Sequence, residues 1–98
     1  MRVILSVLAE NDLQDITDYI ARDNPRRALT FGNELMARCS KLKQAPLAFP
    51  ARDDLAEGLR MMPYRRYLIF YTVHPAEIII ERILHSARDF DSLFSDAD

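Results

Sequence analysis

The stretch from Tyr67 to Asp89 constrains the fold most. Tyr67-Leu68-Ile69-Phe70-Tyr71-Thr72-Val73 and Ile78-Ile79-Ile80-Glu81-Arg82-Ile83-Leu84-His85 are rich in β-branched and aromatic residues, and only His74-Pro75-Ala76-Glu77 separates them. A short break between such runs favours antiparallel neighbours, so the pair reads as a β-hairpin. Side chains alternate across a strand, and here apolar residues fall on both faces: Tyr67, Ile69, Tyr71 and Val73 against Leu68 and Phe70, and Ile78 and Ile80 against Ile79 and Ile83. Such a hairpin belongs at the centre of a sheet and needs a cover.

The first half of the chain supplies one. Residues 2–5 suit a first strand at the side of the sheet. Ser6 is placed to cap a helix, with Glu10, Asp12 and Asp15 near its positive end. Leu13, Ile16 and Ile20 recur at helical spacing with Tyr19 beside them, while Asp12, Gln14, Asp15 and Asp18 fill the opposite side, and this helix should end near Asp23. Asn24-Pro25 is a second start signal, because proline at the first helical position gives up an amide that has no helical partner anyway. Ala28, Leu35, Cys39 and Leu42, joined by Phe31 and Met36, carry the second helix to Ala45-Pro46. Gly32 lies within it and predicts a close helix-helix or helix-sheet contact.

Residues 46–57 hold two prolines and four charges and read as an irregular connection. Gly58-Leu59-Arg60-Met61-Met62 resumes an extended pattern and should pair with 67–73 across Pro63-Tyr64-Arg65-Arg66. The order is therefore β-α-α-β-β-β, an α+β fold in which a helical hairpin packs on a small, mostly antiparallel sheet. With a right-handed crossover the first strand pairs parallel to one of the later three. At 98 residues, 49% of them hydrophobic, residues 1–98 make one domain with one core.

Charge and cysteine narrow the function classes. The net charge of −2 hides an uneven distribution: residues 58–88 hold five Arg against Glu77 and Glu81, whereas residues 89–98 form an acidic tail with four Asp. A basic sheet region attracts an acidic protein or nucleic acid, but a chain that is acidic overall is not expected to bind nucleic acid directly. Single Cys39 excludes an internal disulfide and suits a reducing cytoplasm. The apolar start is followed at once by Glu10 and Asp12 without a small-residue cleavage site, and no segment approaches the roughly 20 apolar residues of a membrane span. A cytoplasmic chain is the expectation. Cys39, His74 and His85 lack metal-ligand spacing, and no Gly-rich phosphate loop or Ser/His/Asp arrangement is visible, so neither metal nor cofactor is expected.

Three segments carry a resemblance. Ala9-Glu10-Asn11-Asp12-Leu13-Gln14-Asp15-Ile16 with Tyr19-Ile20, then Arg65-Arg66-Tyr67-Leu68-Ile69-Phe70-Tyr71, then Glu81-Arg82-Ile83-Leu84-His85-Ser86-Ala87-Arg88-Asp89 resemble the RelE/ParE toxin superfamily of bacterial type II toxin-antitoxin systems, and its ParE branch most. The similarity runs from about residue 2 to residue 89.

The resemblance implies two activities. RelE-like members are ribosome-dependent mRNA endoribonucleases, in which basic residues stabilise the scissile phosphate and a Tyr, His or Glu moves protons. ParE-like members inhibit DNA gyrase by binding it. Arg60, Arg66, Arg82, His85 and Arg88 are the residues from which a phosphate site would have to be built. Against it, lysines are absent after Lys43, Asp53 and Asp54 neighbour Arg52, and the tail past Arg88 is acidic. The gyrase-directed reading is preferred, with no catalytic residue assigned; the ribonuclease and an inactive toxin that keeps only antitoxin binding are the alternatives. His85 is either a general base or a structural residue bonded to its neighbours, Arg82 a half-buried ion-pair partner or an exposed contact, and Arg88-Asp89 a terminal ion pair or a binding element.

By the same resemblance the partner is a small ParD-like antitoxin in a hetero-oligomer. Its C-terminal segment would lay an amphipathic helix in the outer groove of the helical hairpin and an acidic extended tail on the basic sheet region. Arg60, Arg65, Arg66, Arg82, His85 and Arg88 are the candidate contacts for antitoxin or target.

Overall fold

A computed structural model describes residues 1–88 and 91–94. Strand β1 (Arg2–Leu5) leads through Ser6 into helix α1 (Val7–Ala21), followed by α2 (Pro25–Ser40), a 3₁₀ turn (Lys41–Gln44), β2 (Arg60–Tyr64), β3 (Tyr67–Val73), β4 (Glu77–His85) and a short α3 (Asp91–Phe94). The strands lie in the order β1-β4-β3-β2, so the β3–β4 hairpin occupies the centre as its composition requires. β1 takes the edge beside β4 and runs parallel to it, from Arg2 opposite Glu77 to Leu5 opposite Ile80.

The caps are where the side-chain chemistry puts them. Ser6 Oγ accepts from the Ala9 amide at 3.0 Å and donates to the Glu81 carbonyl at 2.8 Å, which ties the start of α1 to β4. Asn24 Oδ1 accepts from the Arg27 amide at 3.0 Å, with Pro25 in the first helical turn. Each such cap stabilises a helix by about 1 kcal/mol relative to alanine.

Two apolar layers enclose the sheet. On one face Phe31, Leu35, Cys39 and Leu42 of the helical hairpin and its 3₁₀ turn pack with Ile69, Tyr71, Ile78, Ile80 and Ile83. Burial there pushes the Cys39 thiol up to about 12, so it is an inert apolar side chain. The Tyr71 hydroxyl donates to the Pro46 carbonyl at 2.8 Å, and in this way the central strand anchors the irregular connection. On the other face Leu55 and Leu59 of that connection close over Phe70 and Leu84, with Leu93 and Phe94 packed against them. The Phe70 and Phe94 rings lie 4.8 Å apart. The acidic tail thus carries an apolar anchor; the expected Arg88–Asp89 pair falls outside the described residues.

Several local expectations need correction. Pro63 and Tyr64 belong to β2 rather than to the turn, because Pro63 sits exposed on an edge strand where a missing amide is tolerated. Only Arg65 and Arg66 form the turn, and Arg65 takes φ 55° to close it. Gly58 has φ 75° and lies outside the strand. Gly32 faces α1, yet a Cβ added there would meet Thr17 Cγ2 at 3.7 Å, an ordinary contact; the glycine deepens a groove between the helices rather than permitting a contact closer than alanine would allow. Finally, Tyr71 pairs with Ile80 and Phe70 with Arg82, leaving Glu81 as an extra residue in β4. This bulge shifts the phase of β4: Ile78 and Ile80 face the helices together with Ile83, whereas Leu84 belongs to the opposite layer.

Candidate functional site

The six basic candidates divide into two groups of three. Arg60, Arg65 and Arg82 are engaged within the fold. Arg60 Nη1 donates to the Phe49 carbonyl at 2.6 Å and to that of Leu47 at 3.4 Å, holding the connection against β2. Arg65 pairs with Glu34 at 3.5 Å and lies 5.6 Å from the Tyr64 ring centroid. Glu34 also receives Arg27 and the Tyr64 hydroxyl, and the Arg27 hydrogen bond above all holds its carboxyl below the usual carboxylate range.

Arg82 forms the most enclosed ion pair among the described residues. Its Nε donates to Asp12 Oδ2 at 2.8 Å and its Nη2 to Asp12 Oδ1 at 3.0 Å, the two-pronged geometry that suits guanidinium and carboxylate. Asp12 Oδ2 also accepts from the Ile83 amide at 2.9 Å. β1 pairs with β4 only as far as Ile80, so beyond that point Asp12 of α1 takes over as hydrogen-bond partner of the β4 edge. The two side chains are only 11% and 16% exposed. The Asp12 hydrogen bond raises the Arg82 pKa above its ordinary value, against the opposing effect of burial. Of the two readings open for Arg82, the half-buried ion-pair partner is the one the structure bears out. Asp12, which helical spacing assigned to the solvated side of α1, turns inward instead.

Arg66, His85 and Arg88 share one pocket of about 420 Å³. It lies between α1, which contributes Asp12, Asp15, Ile16 and Tyr19, and the adjoining ends of β3 and β4. The turn after β2 and the turn after β4 meet there because Tyr67 is the register partner of His85, and the Ser86 amide donates to the Arg66 carbonyl at 2.8 Å. The His85 ring stands edge-on to Tyr67 with centroids 5.4 Å apart, and its Nδ1 accepts from the Ala87 amide at 3.1 Å. Of its two sequence readings this geometry favours the structural one, with an amide as partner in place of a carbonyl or carboxylate. In the connection, Arg52 pairs with Asp54 at 2.8 Å, as the adjacent acids implied.

A second hollow, about 580 Å³, runs between α1 and α2 on the far side of α1 from the first pocket. Leu13, Ala28, Leu29, Gly32 and Met36 line its apolar floor and wall, while Glu10 and Asp18 stand on the α1 rim. Leu29 is 71% exposed, a cost in apolar hydration that a docked partner would remove. Among the described residues no group of three His, Cys, Asp or Glu side chains could hold a metal ion. No helix among the described residues is long and apolar enough to cross a membrane.

The family assignment rests on the sequence as a whole. Residues 3–90 match the family model described as the ParE toxin of the type II toxin-antitoxin system, parDE. The chain belongs to the ParE toxin family. Ten solved chains match it. One of them, described as the chromosomal ParDE TA system from P. aeruginosa, superposes with a TM-score of 0.75 over 87% of this chain and 95% of that chain, at 23% identity. At that identity the likeness concerns the fold, and it agrees with the β-α-α-β-β-β order of the ParE-family chain described here. No curated protein matches. Membership of a toxin-antitoxin family brings an antitoxin protein as the expected partner of this ParE chain.

Proposed function

We propose that this ParE-family toxin inhibits DNA gyrase by binding it and is neutralised by a ParD-like antitoxin in the cytoplasm. What supports binding over bond cleavage is the condition of the cationic residues. Phosphodiester cleavage needs convergent positive charge on the scissile phosphate and a side chain free to move a proton. Here Arg82 is spent on Asp12, Arg60 on backbone carbonyls and Arg65 on Glu34. The remaining arginines, Arg66 and Arg88, share their pocket with Asp15, whose charge opposes a phosphate, and one nitrogen of His85 already accepts from a backbone amide.

The groove between α1 and α2 has the form an antitoxin helix requires. Its apolar floor accepts one stripe of an amphipathic helix, and the Glu10 and Asp18 rim favours basic residues along that helix's α1 side. Burying Leu29 there contributes up to about 1.5–3 kcal/mol to the complex.

Expression in growing bacteria tests the proposal. The expected result is arrest with filamentation and DNA-damage signalling, relieved when a neighbouring reading frame encoding a small ribbon-helix-helix protein is expressed alongside. Rapid loss of translation with cleaved message would replace gyrase by the ribosome as target. Unimpaired growth would leave a module that binds antitoxin without toxicity.

A further inference from the structure

The two edges of the sheet are finished differently. Along β2 the connection covers the edge: Ala51 bridges to Arg60, the Arg52 amide donates to the Leu59 carbonyl, and Pro63 has no amide to offer. β1, at the other edge, has no such protection. Its pairing with β4 is regular, without bulge or proline, and its one charged side chain, Arg2, is drawn back to Glu77 at 3.3 Å. The Arg2 and Ser6 amides donate to the Ala76 and Ile80 carbonyls, so the alternate residues Val3 and Leu5 turn their amides and carbonyls outward, and neither amide has a partner among the described residues. Exposed apolar side chains stand at both ends of the strand, Met1 at 52% before it and Val7 at 71% after it. The Val3 and Leu5 side chains pack toward the helical layer, which leaves Ile4 and its register partner Ile79 half-buried on the opposite face.

We propose that the free edge of β1 is an interface between two copies of this chain, paired antiparallel about a twofold axis at Ile4 so that their sheets continue into one. Val3 of each copy then lies opposite Leu5 of the other, and these hydrogen-bonded pairs satisfy the outward amides and carbonyls of both residues. Ile4 meets Ile4 of the second copy at the axis in a close, non-hydrogen-bonded pair, flanked by the two Ile79 side chains. Met1 falls opposite Val7 of the second copy, which brings the exposed apolar ends together. Charge agrees with this register. The Arg2 residues of the two copies stand four residues apart along the strand, about 13 Å at about 3.3 Å per residue, beyond the roughly 8 Å screening length, whereas a register centred on Val3 would halve that distance. An edge this short makes a small interface, and small interfaces associate weakly, so the dimer forms as concentration rises. Association of this kind is independent of gyrase and of the antitoxin.

Sedimentation velocity of the purified chain should show a mass that rises with concentration from 11.4 kDa toward twice that value. Hydrogen exchange at the Val3 and Leu5 amides should slow over the same range, while the Ser6 amide, already bonded to Ile80 within one copy, does not change. Ile4→Lys, which sets two cations against each other at the axis, should raise the dimer dissociation constant by at least about tenfold. Ile4→Val should change it little, and Leu47→Lys, at an exposed apolar position in the connection, not at all. Under mild oxidation Ile4→Cys should cross-link to its own copy, because the Cα atoms of such a pair are about 4.5 Å apart, whereas Val3→Cys should not; Cys39 is buried and takes no part. Thermal melts establish that each variant is folded, and the mass and exchange of the unaltered chain decide the matter without them. A chain that stays monomeric up to about 1 mM, a dimer indifferent to Ile4→Lys, equal loss with Leu47→Lys, or cross-linking through Val3→Cys in place of Ile4→Cys would each overturn the proposal. So would Val3 and Leu5 amides that become protected only when antitoxin is added, a result that would give this edge to the antitoxin.

Discussion

Asp12→Ala is expected to destabilise the protein by about 3 kcal/mol, the lower end of the cost of breaking a buried pair by removing one partner, because this pair is half-buried. Two groups lose their acceptor at once, the Arg82 guanidinium and the Ile83 amide. With the pair only 11% and 16% exposed, solvent cannot readily replace the carboxylate. Out of a typical total of about 5–15 kcal/mol, that loss leaves a marginal fold. Asp12→Asn should cost less, since its amide oxygen can still accept from Ile83. Replacing both partners, as in Asp12→Leu/Arg82→Met, should cost less than Asp12→Ala alone, because no charge is then left buried. Urea unfolding of the singles and the double gives the coupling energy directly. A cost below about 1 kcal/mol for Asp12→Ala would mean the pair behaves as an exposed one.

Phe70→Ala should be at least as damaging, at about 3–5 kcal/mol, for an unrelated reason. Its side chain is fully buried in the layer that faces away from the helices, among Leu55, Leu59, Leu84 and the Phe94 ring. Three of those neighbours, Leu55, Leu59 and Phe94, come from the connection and from α3, segments with little regular structure of their own, so the cavity removes what holds them down. Urea unfolding and limited proteolysis of residues 46–59 read the two consequences together. The variant should show both a lower midpoint and faster cleavage in the connection. Phe94→Ala, at a half-buried position, should have the same character with smaller amplitude. A Phe70→Ala variant that unfolds as the parent does would show that this second layer is not part of the cooperative unit.

How far the sequence disclosed this arrangement depends on the range over which each interaction acts. The hairpin, both helix caps and the edge position of β1 were legible because each follows from neighbouring residues: Ser6 and Asn24 act within one helical turn, and the Ile-rich runs need no remote partner. Asp12 was not legible. Helical spacing puts it beside Gln14 and Asp15, and the partner that turns it inward lies 70 residues further on. The bulge at Glu81 is equally silent, since Ile78-Ile79-Ile80 reads the same in either phase and only the pairing of Phe70 with Arg82 reveals the slip.

The candidate site was half legible for a related reason. All six basic residues could be named, but arginine is long, and where its head group ends depends on acceptors such as the Phe49 carbonyl and Glu34. One signal did exist for the three that converge. A tight turn at Arg65-Arg66 and a short break after Val73 place Tyr67 opposite His85, and that register alone puts Arg66 and Arg88 at the same end of the sheet. The apolar anchor formed by Leu93 and Phe94 was hidden by the four Asp around it.

The most direct measurement is a supercoiling assay with purified gyrase, the purified chain and relaxed plasmid, run beside translating ribosomes charged with a defined message. The account predicts that the chain blocks supercoiling in proportion to its concentration, that antitoxin restores it, and that the message stays intact. Undiminished supercoiling together with message cut on the ribosome, and protected when His85 is replaced by Ala, would contradict it.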